Sequence, residues 1–482
     1  MLFPRFFTRR PLRACAVAVF LVGPTAHAQS SATSRSSDTL RLSLADAVSI
    51  ALRQSDEIGL AAAQINVADA QHGSARANLL PQLRITSSYV HVYESARGNA
   101  VGSVFNQPNT YTANANLSQT LFQGGRLISA TRAADDVRRA ARFDEREERA
   151  LLTVQVQRAY LQTLYSARIV ELQDNNLLLA STRLTQVELF ERAGQAARYD
   201  VLRARVERAN IEPLAIQARN DRELALLDLR RVLNLPVEQP VALVSRIDPS
   251  TALAVLAAID DTVTMNERAA VRSAELNLDA KRLGIKVARA DYFPTVTAFF
   301  QSGYQAFPPI GFGLPTTRGA LNAESCPPGS PLTRTCQNGG FFADRQAGIN
   351  LAFPLFDGLR VKSNVDLATA QARLAELQLQ QQREAVSIDA ARARAELRRS
   401  RAVFAARQQN SSEADEAFRL ASLRFSRGLS TQLEVSDAQL ALLTAQSTEA
   451  RATYDLFLAA AELARALGKP IPLPSATTSS SQ

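Results

Sequence analysis

Apolar and polar residues alternate along this chain in two rhythms, and both rhythms recur. Tyr111, Ala113, Ala115, Leu117 and Leu121 alternate with Thr112, Asn114, Asn116, Ser118 and Thr120. Ala347, Ile349, Leu351 and Phe353 alternate with Gln346, Gly348, Asn350 and Ala352. A period of two predicts strands with one apolar and one polar face. The neighbouring runs 83–93 and 295–304 are rich in β-formers, so the reading is two hairpins, 82–121 and 295–353, with four strands in all. Each run is long enough for a tilted strand to cross a bilayer. Half-buried strands of a soluble sandwich would show the same alternation. The aromatics Tyr89, Tyr93, Tyr111, Phe299, Phe300 and Tyr304 fit either a membrane girdle or barrel packing.

The second rhythm is helical. Leu152, Val156, Ala159, Thr163, Ser166, Val170, Gln173, Leu177, Ala180, Leu184 and Val187 fall at alternating spacings of four and three. The same spacing, 234 residues on, picks out Val386, Ala390, Ala393, Leu397, Ser400, Phe404, Arg407, Ser411, Ala414, Phe418 and Ala421, a less perfect stripe in the same phase. A flanking set, Leu151, Val154, Leu161, Tyr165, Leu172 and Leu179, forms a second seam. A helix with two seams has neighbours on two sides, as a wall or tube of helices requires. No proline occurs over 126–212 or 355–469. Helices that long must pack as coiled coil, with Gly194 and Gly428 as the turns between outgoing and return helices. Shorter helices are predicted over 43–80, with Ser43 as cap and Pro81 as stop, and over 263–292, stopped before Pro294. Pro213 falls inside a return helix and predicts a kink there.

These elements form an internal repeat. Leu121-Phe122-Gln123-Gly124-Gly125-Arg126 returns as Leu355-Phe356-Asp357-Gly358-Leu359-Arg360, an offset of 234. Gly194 with Asp200-Val201 returns as Gly428 with Glu434-Val435 at the same offset. Ala77 to Pro81 matches Ala290 to Pro294 at an offset of 213, so the second hairpin carries a 21-residue insertion. The predicted division is a signal peptide at 1–28, an N-terminal segment at 29–42, repeats at 43–262 and 263–469, and a tail at 470–482. Two short helices placed end to end match each long one in length. The implied body is a rod of roughly 100 Å, from the rise of 1.5 Å per residue. Strand hairpins lie at one end, Gly194 and Gly428 turns at the other, and a belt from 234–261 and 470–474 lies at mid-height.

Composition narrows the function. Of 482 residues 46% are apolar and 21% charged, so wholesale disorder is excluded. Beyond the N-terminus no apolar run reaches the length of a spanning helix. Arg5, Arg9, Arg10 and Arg13 precede an apolar run and the small-residue site Ala26-His27-Ala28, the pattern of a secretory signal. Losing those four arginines lowers the net charge from +9 to +5, too weak and dispersed for nucleic acid. Three His and three Cys show no metal-ligand spacing, and no nucleophile–His–acid set is visible, so neither a cofactor nor an enzyme is expected. Export would place Cys326 and Cys336 in an oxidising compartment, where a disulfide closing their short loop is the expectation.

Four strands cannot close a barrel, and open edges in lipid would leave backbone groups unpaired. Other copies of the chain must complete them. On the doubled halves, the Leu-Phe-x-Gly-x-Arg junctions (Gly124, Gly125, Gly358) and the Gly-x5-(Asp/Glu)-Val turns, the chain resembles the TolC-type outer membrane factors of efflux pumps and type I secretion. The resemblance implies a mostly α fold with a small β part: a long coiled-coil barrel joined to a transmembrane β-barrel completed by trimerisation. It implies a passive conduit in the outer membrane lipid with a large periplasmic portion. The tip around Gly194, Gly428 and Leu429 would dock a periplasmic adaptor protein and, with it, an inner-membrane transporter. Asp200, Glu434 and Asp437 match acidic positions at the periplasmic entrance of some members. From the residues alone these are either a ring of carboxylates or ordinary helix-starting acids. A secreted structural coiled-coil or adhesin-like fibre is the alternative; the amphipathic hairpins and matched helix lengths speak against it.

Overall fold

The computed structural model describes residues 39–94, 96, 100, 109–244, 268–306, 341–427 and 429–469. The signal segment, Cys326, Cys336, Gly428 and the tail lie outside the described residues. The chain opens with β1 (Leu40–Leu42), α1 (Leu44–Gln54) and α2 (Asp56–Ala77), then β2 (Gln82–His91) and β3 (Asn109–Gln123). The long α3 (Arg126–Arg192) and its return α4 (Arg198–Val232) follow, then β4 (Val241–Leu243). The second half holds α5 (Ala269–Arg289), a 3-10 turn (Ala290–Tyr292), β5 (Thr295–Ala306), β6 (Phe341–Ala352), α6 (Arg360–Ser426) and α7 (Gln432–Ala466).

α3 and α6 each have 67 residues, and no proline interrupts either. Ion pairs place the shorter helices along them. Asp69 of α2 faces Arg138, and Arg268 at the start of α5 meets Glu147, so α2 and α5 flank the half of α3 nearer the strands. Arg219 of α4 meets Asp174, and Glu462 of α7 meets Arg158, so α4 and α7 flank its distal half. α6 runs beside α5 and α7 in turn. The heptad seam predicted on α3 is buried from Leu152 to Val170 and at Ala180 and Val187. Its counterpart is buried at Val386, Ala390, Ser400, Phe404 and Ser411, whereas Arg407 is exposed, as are Leu151 and Leu179 of the flanking set. Each large apolar side chain so buried contributes roughly 1.5–3 kcal/mol.

One predicted helix is two. The run 43–80 breaks at Ser55, whose backbone is extended and whose hydroxyl accepts from the Glu57 N–H to start α2. A polar cap inside an otherwise helical pattern offers the backbone this alternative. Ser43 caps α1 in a reciprocal box with Asp46, as the sequence predicts. The break lets α1 fold against the middle of α3, where Leu42, Leu44, Tyr160, Leu229 and Leu233 form one core. β1 and β4 pair in parallel there; of the belt expected from 234–261 and 470–474, only 234–244 is among the described residues. Nearby, Arg268, only 6% exposed, ties Glu147 of α3 to Asp389 of α6. Pro213 is accommodated inside α4.

The four long strands form one antiparallel sheet in the order β2–β3–β5–β6. Register puts Leu83, Leu117, Phe300 and Ala347 in one row, and Ile85 opposite Ala115. Arg84, Asn116, Gln301 and Gln346 occupy the other face. A bulge between Thr120 and Phe122 brings Phe122 beside Val296 and Leu351 on the apolar face. Phe299 belongs to the polar face and packs over Gly348, so the six aromatics do not form a single girdle.

Candidate channel: strand junctions and helical tips

The strand-to-helix junctions depend on left-handed backbone. Gly124 and Gly125 have φ of 54° and 76°, and Gly358 has φ of 68°. At Gly124 a Cβ would sit 2.7 Å from the Ala290 carbonyl oxygen, so the absent side chain also lets the two halves approach. The sequence reading missed Leu359, which takes φ of 68° at the position of Gly125. A leucine in that region costs about 1–2 kcal/mol; only the repeat alignment could have exposed it. Beside the junction, Arg126 pairs with Asp291 and joins the start of α3 to the end of the α5 segment.

At the far end, α3 stops at Gly194, φ 74°. The Gln195 N–H donates to the Phe190 carbonyl at 2.8 Å and the Gly194 N–H to Glu191 at 2.9 Å, satisfying carbonyls the helix leaves unpaired. The second tip repeats the long bond: the Leu429 N–H donates to Arg424 at 2.9 Å. Leu429 is 68% exposed and offers an apolar contact at the tip.

Three acids mark the return helices. Asp200 accepts from the Ala197 N–H at 3.1 Å, closing the first turn of α4. Glu434 sits at the corresponding position of α7. Its N–H donates to the Thr431 hydroxyl, and the Ser430 hydroxyl donates to its carboxylate at 2.7 Å. That hydroxyl bond chiefly holds the Glu434 carboxyl below the ordinary carboxylate range, with help from the Arg424 charge 4.0 Å away. Asp437 lies one turn on, exposed, with no hydrogen bond or ion pair among the described residues. Glu434 and Asp437 therefore share a face of α7. Asp200 is on the other hairpin, and no bond joins it to them among the described residues.

Two polar links between the hairpins escaped the sequence reading. Arg183 of α3 donates to Ser436 of α7 at 2.8 Å and approaches Glu207 of α4 at 3.5 Å. Buried Gln439 donates to Asn176 at 2.6 Å. Polar residues beside the heptad seam were the available signal: Asn176 immediately precedes the seam position Leu177, and Arg183 immediately precedes Leu184. Among the described residues no group of His, Cys, Asp and Glu is arranged to hold a metal, and no helix is long and apolar enough to cross a membrane.

This architecture has known relatives. The model of the outer membrane efflux protein family matches residues 47–235 and 264–469, one segment for each repeat. The pyoverdine export outer membrane protein OpmQ of Pseudomonas putida is 26% identical over 444 residues, 87% of this chain and 84% of the relative. The outer membrane protein VceC of Vibrio cholerae superposes with a TM-score of 0.70 at 20% identity, covering 89% of this chain and 97% of that one. The MtrE outer membrane channel of Neisseria gonorrhoeae, in its open state, gives 0.67 at 20% identity, with coverage of 90% and 91%. With a family match over both repeats and the same fold throughout, the chain belongs to the outer membrane efflux protein family and is an exit duct of an efflux system, seated in the outer membrane with its helical part in the periplasm.

Proposed function

We propose that the duct is a homotrimer, a passive conduit that docks a periplasmic adaptor and, through it, an inner-membrane transporter. The observation that carries this is the open sheet: among the described residues β2 and β6 each have one unpaired edge. A lipid-exposed edge leaves every second N–H and C=O without a partner, at several kcal/mol each. Three copies joined β6 to β2 would give twelve strands and no edge. The helices support the same reading. Tyr199, Leu202, Val206, Ile216 and Leu227 line an exposed face of α4 at near-heptad spacing. Leu367, Leu374, Leu377 and Ile388 do so on α6. Both are free seams at opposite flanks of the wall, ready for a neighbouring copy.

At the tip, Gly194, Gly428 and Leu429 would present the surface that meets the adaptor. Glu434 and Asp437, repeated by threefold symmetry, would gather six carboxylates near the entrance, with Asp200 in the outer hairpin as a helix cap. Such a ring favours cations over anions. Cys326 and Cys336 would form a disulfide in the inserted loop of the second hairpin. The test of the tip is single-channel conductance in planar bilayers with a trivalent cation on the periplasmic side. Wild type should be blocked and Glu434→Ala/Asp437→Ala should not. Equal block in both would make these acids helix caps and nothing more.

A further inference from the structure

Each of the four places where one of the long strands β2, β3, β5 and β6 meets a helix repeats one pattern. An exposed apolar pair stands at the strand side, and an arginine stands three to five residues toward the helix. At the end of α2 the pair is Leu79 and Leu80, and the arginine is Arg76. At the end of the α5 segment it is Tyr292 and Phe293, with Arg289. At the start of α3 it is Leu121 and Phe122, with Arg126, and at the start of α6 it is Leu355 and Phe356, with Arg360. The eight apolar side chains are between 37% and 88% exposed. The arginines keep the repeat offsets, 213 from Arg76 to Arg289 and 234 from Arg126 to Arg360.

The band carries surplus positive charge. Its two acids are occupied: Asp291 by Arg126, and Asp357 by the Val361 N–H. Arg76, Arg289 and Arg360 are exposed and have no acidic partner among the described residues. The apolar pairs continue the apolar face of the sheet through Phe122, Val296 and Leu351. The order along the molecular axis is therefore apolar sheet face, apolar and aromatic pairs, then cations. That is the order of acyl chains, interface and headgroup phosphates in a bilayer leaflet.

We propose that this band binds the anionic phospholipid headgroups of the periplasmic leaflet, with Arg76, Arg289 and Arg360 contacting phosphate. The inference rests on the sheet being seated in the outer membrane. Guanidinium suits the role because its planar donors meet phosphate oxygens in pairs. The paired Arg126 holds the junction, and the three free arginines are left to meet the lipid.

Electron spin resonance of the full-length protein reconstituted with spin-labelled lipids tests this. Protein-contacting lipid appears as a motionally restricted component whatever its headgroup, and the comparison is phosphatidylglycerol against phosphatidylcholine. Wild type should prefer phosphatidylglycerol by roughly fivefold, the scale for a cation held at an anionic surface. The preference should fall toward unity in Arg76→Gln/Arg289→Gln/Arg360→Gln and in about 0.5 M salt. The triple Arg→Lys variant should keep most of it, which separates charge from any loss of fold. Equal association of both lipids with wild type would overturn the proposal. So would an unchanged preference in the Gln variant accompanied by a shifted reversal potential in bilayers, which would place these cations on the pore. Absence of any restricted lipid would instead contradict the membrane seat itself.

Discussion

At the first strand-to-helix junction two glycines, Gly124 and Gly125, hold the left-handed backbone; at the second, Gly358 and Leu359 hold it. At mid-height the return helices end in the same way, α4 on Asn234 with φ of 53° and α7 on Gly468 with φ of 68°. At the tips Ala197 and Asp200 start α4 where Thr431 and Glu434 start α7. All these pairs are 234 residues apart. The backbone conformation is what the two halves share, because the turn geometry decides where each helix points. The residue that supplies it is free to vary wherever neighbours leave room. Space, rather than dihedral angle, then separates the positions that demand glycine from those that tolerate a side chain.

That conclusion is sharpest at the first junction. Gly124→Ala adds a Cβ against the Ala290 carbonyl in addition to the cost of the positive φ, whereas at Gly125 the space is open. Gly124→Ala should destabilise the extracted protein by about 3 kcal/mol or more and Gly125→Ala by about 1–2 kcal/mol. Urea midpoints of the two variants measure this, and equal losses would mean that φ alone governs. The mirrored change comes next in size. Leu359→Gly should stabilise by about 0.5–1 kcal/mol, because relief of the left-handed leucine outweighs the entropy gained by the unfolded chain. A loss of stability would show that the exposed leucine packs against a neighbouring copy.

Much of this was legible because the signals are long. The 67-residue helices, the heptad seams and the four strands each rest on many positions, so one exception such as exposed Arg407 changes nothing. What stayed hidden depends on single residues. The Ser55 break rests on one hydroxyl in a helical pattern, and Leu359 rests on a dihedral angle that leucine rarely takes. Arg183 meets Ser436 across 253 residues of chain, a contact that only packing of the two hairpins creates. The tip acids were legible as a shared helix face, but Ser430 as the partner of Glu434 was not.

That partner supplies the smallest expected effect. Only the second tip has it, so it distinguishes the hairpins. The Ser430 hydroxyl lowers the Glu434 pKa, so the carboxylate stays charged, and its contribution persists, until pH falls through that lowered value. Ser430→Ala should move the titration back toward the ordinary glutamate range. Cation block at the tip should then fade at a higher pH than in wild type as the solution is acidified. Coincident pH profiles would remove Ser430 from the account of the entrance.

A four-stranded sheet with two open edges needs two further copies to complete it in lipid. Native mass spectrometry of the detergent-extracted protein tests this directly. The expected result is three chains per particle, a state that survives dilution because twelve strands leave no edge unpaired. A stable monomer, or an assembly whose chain number is not three, would contradict it.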